Sequence, residues 1–171
     1  MPFGFDPFSY PFSSVDYTLF FRELSNLPKS MDSLEKSFYE SDNTAQNAEQ
    51  NTEQNTEQKT AQNTELNTRW ATWLEQWNAL INKANTDLYR SNEECIQQMK
   101  QVNPKYSLQE RFVQPVYQQA AEGNYELIRE LQEFMTQPYA EQSKEVEDKY
   151  YGLRPAELRN LGGVSHYSCS S

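Results

Sequence analysis

Between Pro28 and Pro104 the chain contains neither glycine nor proline, although all five glycines and all eight prolines of its 171 residues fall elsewhere. Those residues are the strongest local terminators of helices, so the simplest fold for 29–103 is one long helix. Ser30 is a suitable N-cap with Asp32 in the first turn, and Asn103-Pro104 is a suitable stop. At the α-helical rise such an element runs about 110 Å.

Its second half carries an apolar seam. Trp70, Leu74, Trp77, Ile81, Ala84, Leu88, Cys95 and Val102 recur at steps of three, four or seven, a heptad pattern interrupted mainly at Ser91 and Gln98. This spacing predicts an oligomer seam in a parallel coiled coil, with dimer and trimer both open. The same spacing reads Trp70, Trp73 and Trp77 as packing core rather than a ligand platform. In the first half Met31, Leu34, Phe38, Ala45 and Ala48 keep the step before the pattern turns polar.

The polar part, 43–68, is a four-residue repeat, Asn–Thr/Ala–Glu/Ala–Gln. Four residues advance a helix by about 400°, so each repeat drifts about 40° around the axis. No one Asn or Thr column can face a partner throughout. The stretch reads either as a polar-cored coiled coil in which Asn sets register or as a solvated low-complexity linker.

On either side lie shorter pieces. Residues 1–12, MPFGFDPFSYPF, form an extended arm in which Phe3, Phe5, Phe8, Tyr10 and Phe12 either fold back on the body or anchor in pockets of a neighbouring subunit. A short helix within 13–28 is expected, capped by Ser13 or Ser14 and ended by Pro28. The C-terminal region, 104–163, opens on the capping box Ser107-Leu-Gln-Glu110. It continues through a helix containing Pro115, a break at Gly123-Asn124, an amphipathic helix over 125–135 and a last short helix over 155–161. The tail, 164–171, is Ser-rich and holds His166 and Cys169.

Composition narrows the function classes. A net charge of -10 disfavours nucleic acid, which calls for a basic patch. No apolar run approaches the length of a membrane span, and no basic-then-apolar leader opens the sequence, so synthesis in the cytoplasm is expected, with incorporation in a virion or other particle left open. One histidine and two distant cysteines provide neither a His-based triad nor zinc spacing. No catalytic, cofactor-binding or metal-ligating residue is therefore expected.

A hydrophobic share of 36%, with 13% aromatic, suits a thin, elongated protein with local aromatic clusters, and with the glycine- and proline-free window and the apolar seam the expected fold is all-α. The acidic, hydrophilic, amphipathic character and the tryptophan-rich helix start at Trp70 resemble phasins, the coats of polyester storage granules. The aromatic arm, polar rod and helical C-terminal part resemble minor structural proteins of virions and phage tails or necks. The expectation is a non-enzymatic assembly protein, partnered by itself and by other subunits of a larger assembly. The alternative is an amphipathic coat laid on a storage granule or lipid particle by Phe112, Val116, Ile128, Leu131 and Phe134.

Overall fold

The computed structural model describes residues 15–39 and 53–155, with side chains from residue 64 onward in the second span. The aromatic arm, residues 43–52 of the repeat, the helix expected over 155–161 (from 156 on) and the tail lie outside the described residues.

The fold is all-α: among the described residues there is no strand, only an isolated antiparallel bridge between Val15 and Phe38. Helix α1 (Tyr17–Leu24) is capped by Asp16, whose Oδ1 accepts the Leu19 N–H at 3.0 Å. This displaces the cap expected at Ser13 or Ser14. Two 3₁₀ turns follow, Met31–Ser33 and Glu35–Ser37. The Asp16 N–H then donates to the Ser37 carbonyl, closing the segment on itself.

The single helix expected over about 30–103 is not formed. The window divides into the 3₁₀ turns, α2 (Glu53–Asp87) and α3 (Asn92–Val102). The break at 88–91 is made without glycine or proline. Tyr89 takes a left-handed φ of +51°, and its N–H donates to the Thr86 carbonyl while that of Arg90 donates to Asn85. This is the Schellman arrangement. Ser91 then starts α3 with a complete capping box, its hydroxyl accepting from Glu94 N–H while the Glu94 carboxylate accepts from Ser91 N–H.

Three further helices complete the described chain: α4 (Glu110–Ala121), α5 (Glu126–Met135) and α6 (Lys144–Tyr150). Helix α4 runs through Pro115 and ends, as its sequence predicts, at Gly123, which adopts a φ of +84°.

Two aromatic-rich cores result. The first packs Val15, Phe20, Leu24 and Leu34 against Trp70 and Leu74 of α2. Several of its rings meet edge to face, among them Phe38 and Trp70 with centroids 5.3 Å apart, a geometry that ring quadrupoles favour. The second gathers Tyr106, Leu131, Phe134 and Tyr150, with Phe112 and Val116 of α4 against it. Each fully buried Leu or Phe contributes about 2 kcal/mol relative to exposure.

Candidate functional site

The most built polar feature lies where elements of the two cores meet. Helix α1 turns Phe20 and Leu24 into the first core, and Arg22 is just 3% exposed. A buried guanidinium must have its donors met, and this one does. Nη1 donates to the carbonyls of Lys100 and Asn103, both at 3.0 Å, and so caps the C-terminal end of α3, where a cation is favoured. Nη2 donates to the Tyr139 carbonyl at 3.0 Å and to Glu141 at 2.8 Å.

Lys105, 5% exposed, approaches the same carboxylate and also reaches Glu147 at 3.1 Å. Its backbone N–H and that of Tyr106 both donate to the Pro138 carbonyl. Burial works to raise the Glu141 carboxyl, but the hydrogen bonds from Lys105 and Arg22 outweigh it and hold the group down at about 2. Burial likewise works to lower Lys105, and Glu141 and Glu147 overcome it, so the ammonium titrates above its ordinary range. Alongside, the Tyr151 hydroxyl donates to Glu23 across 128 residues of sequence. Burial first, and Glu23 second, push that phenol up.

A second polar group surrounds a cleft of about 370 Å³ whose lining includes Asp16, Thr18, Tyr39, Ser107, Arg111 and Arg154. Asp16 accepts from Tyr39 and Gln109 as well as from its own helix, and the Thr18 and Ser107 hydroxyls share a hydrogen bond at 2.9 Å. Arg111 donates to the carbonyls of Gly152 and Leu153. Burial pushes its guanidinium down, with Asp16 partly offsetting it. These contacts tie α1, α4 and the chain after α6 together. The Tyr39 and Tyr151 hydroxyls each donate to a carboxylate, and burial pushes both phenols up rather than activating them. Among the described residues no three His, Cys, Asp or Glu side chains converge to hold a metal ion.

The predicted seam is distributed over different surroundings. Trp70 and Leu74 are buried in the first core of the same chain, against Phe20 and Leu34. Trp77 is half-buried and stacks on Trp73, while Ile81 and Ala84 are half-buried. Cys95 is buried in α3, but Leu88 and Val102 are 65% and 71% exposed. Phe3, Phe5, Phe8, Tyr10 and Phe12 lie outside the described residues. Sequence reasoning missed Arg22, Lys105 and Glu141. The available signal was Arg22 itself, a charge set between Phe20, Phe21 and Leu24 on an otherwise apolar face.

No protein-family model matches the chain, and no solved structure matches it. Curated relatives do. The protein nucleotidyltransferase YdiU of Tolumonas auensis is 32% identical over 162 residues, and the proteins of that name from Aromatoleum aromaticum and Flavobacterium johnsoniae are each 28% identical, over 162 and 166 residues. Each match takes in 93% of this chain but only 26–27% of the relative, so the chain spans about a quarter of the length of the curated proteins it matches. These relatives overturn the expectation of a non-enzymatic virion or assembly component, and with it the granule-coat alternative. A coiled-coil seam and an aromatic arm describe shape, and shape alone does not separate a structural rod from a helical part of an enzyme. What the chain resembles, over nearly its whole length, is one segment of proteins named as protein nucleotidyltransferases.

Proposed function

We propose that this chain acts in nucleotidyl transfer to protein, as a helical segment working with a larger nucleotidyltransferase body. The observation that carries the reading is the match over 93% of the chain to relatives so named. Nucleotidyl transfer moves a phosphate-bound nucleoside and must stabilise charge on the transferring and leaving phosphates. A chain of net charge -10 is poorly suited to cradle a polyphosphate unaided. The assignment that fits is therefore support: two small aromatic cores, clamped through Arg22 and Arg111, present a shaped helical surface to the portion that holds nucleotide.

The test is a chimera. The matching segment of the Tolumonas auensis protein is replaced by this chain, and transfer of a labelled nucleotide onto protein is measured against the unaltered relative and a segment deletion. The chimera is expected to retain transfer within about tenfold of the relative, a loss of about 1.4 kcal/mol in transition-state stabilisation, with the deletion far weaker. A chimera that melts cooperatively yet transfers no more than the deletion would overturn the reading.

A further inference from the structure

The turn between α2 and α3 spends an aromatic residue where the backbone asks for glycine. Tyr89 occupies the left-handed position that closes the Schellman motif, a position at which any Cβ is unfavourable and glycine is the usual solution. The ring does nothing for the turn. It is 98% exposed, and the turn is fixed by other groups: Arg90 Nε donates to Asn85 Oδ1 at 2.8 Å, Asn85 donates to Asn92 at 3.1 Å, and Ser91 and Glu94 close the capping box. Tyr89 also stands at the end of an apolar stripe. Leu80 and Ala84 of α2 and Leu88 just past its end follow one another at four-residue spacing, and Leu80 and Leu88 are 47% and 65% exposed. The first core reaches along this helix as far as Trp77, so Leu80, Leu88 and Tyr89 lie beyond it, with Leu88 on the continuation of the Trp70–Leu74 face.

An unfavourable backbone conformation holding out an unburied aromatic, continuous with exposed leucines, is a pattern of function rather than of folding. We infer that Leu80, Leu88 and Tyr89 form a docking surface for the remainder of a nucleotidyltransferase body, with Tyr89 as its aromatic anchor. The occupant follows from length. The curated relatives carry about three quarters of their residues beyond the segment this chain matches, and a segment clamped within itself meets that body through an outward apolar face. Rigid aromatics are the anchors of such interfaces because they bury large area at low entropic cost. The inference rests on the proposed function, and its test separates the two.

Hydroxyl-radical footprinting with mass spectrometry reads Tyr89 in the isolated chain and in the chimera described above. Tyr89 should react like a free tyrosine in the isolated chain and about tenfold more slowly in the chimera, the change from 98% exposed to a desolvated anchor. Equal reactivity in both overturns the docking surface, whether or not the chimera transfers nucleotide. The same holds for a chimera that melts as two uncoupled parts. Protection without nucleotide transfer keeps the surface and removes the proposed function. Protection already present in an isolated chain sedimenting at twice its monomer mass gives the surface to a second copy and overturns the inference. The Tyr89→Gly variant supplies a check that needs no chimera. Its melting temperature should equal or exceed that of the parent, because glycine relaxes the turn, and a lowered one would show the ring working inside this chain and overturn the inference.

Discussion

Arg22 shows how far one side chain can decide the arrangement of the chain around it. Its guanidinium is buried and satisfied by three carbonyls and one carboxylate drawn from residues 100–141. Removing a buried charge that satisfies several groups leaves those groups unpaired, so Arg22→Met is expected to cost about 3 kcal/mol. Glu141, the other end of the contact, is more than half exposed, and solvent screening makes it worth less. Its folded-state value of about 2 lies below the ordinary 4.5. The resulting stability is present above pH 4.5 and is lost as pH falls toward 2, because the unfolded chain takes up the proton first. Discounted for exposure, the loss is about 1 kcal/mol. Urea unfolding of the parent and of Glu141→Gln at pH 7 and near pH 2.5 checks this: the two should differ at pH 7 and converge at the acid end, and an equal difference at both would refute it. The partnership itself was not legible in the sequence. Arg22 could be flagged as a charge on an apolar face, but its partners lie about 80 to 120 residues away, and no local pattern encodes that distance.

Elements were more legible than contacts, wherever a local signal was strong. Gly123 was marked as a helix end and is one, with φ at +84° and space for a Cβ around it. Gly123→Ala should therefore cost about 1 kcal/mol from backbone strain alone, without a clash, and a larger loss in thermal melting would reveal a contact the open surroundings do not suggest. The capping box proposed at Ser107 did not form. Its hydroxyl is engaged with Thr18, and α4 begins instead at Glu110 with Gln109 as N-cap. The opposite error occurred at Ser91. The Ser-Asn-Glu-Glu sequence there is a helix start, but it sits in a window whose lack of glycine and proline argued for continuity. Backbone punctuation is a weaker constraint than that argument assumed, because a Schellman turn can accept tyrosine when Arg90 and Asn85 hold it. Ser91→Ala is expected to lose about 1 kcal/mol, with hydrogen exchange at the α3 amides accelerating before those of α2. Uniform acceleration would mean that the two helices open together.

At the scale of the whole molecule, the mostly helical class, which is the class observed, followed from the glycine- and proline-free window and the heptad-spaced apolar residues. The organisation into two aromatic cores did not, since the same Trp70 and Leu74 spacing suits a partner chain or a neighbouring helix of the same chain equally well. The relation to nucleotidyltransferases was hidden for a different reason: the chain matches about a quarter of those proteins and carries no sequence motif of the chemistry. What joins the two cores is polar: Arg22 to the end of α3 and to Glu141, Tyr151 to Glu23, and Asn103 to Ser25 at 3.0 Å. Polar joints are directional and fail together when their central member is lost. Leu74→Ala, which empties a position 2% exposed in the first core, should cost about 3 kcal/mol and, with Arg22 intact, should lower one calorimetric transition for the whole described body. Adding Arg22→Met should uncouple the cores, so that the first melts early while the second, around Tyr106 and Phe134, melts separately. A double variant that still melts in one transition would mean that the joint around Arg22 does not couple the cores, and that the remaining cross-links, Thr18 to Ser107, Gln109 to Asp16 and Tyr151 to Glu23, hold them together.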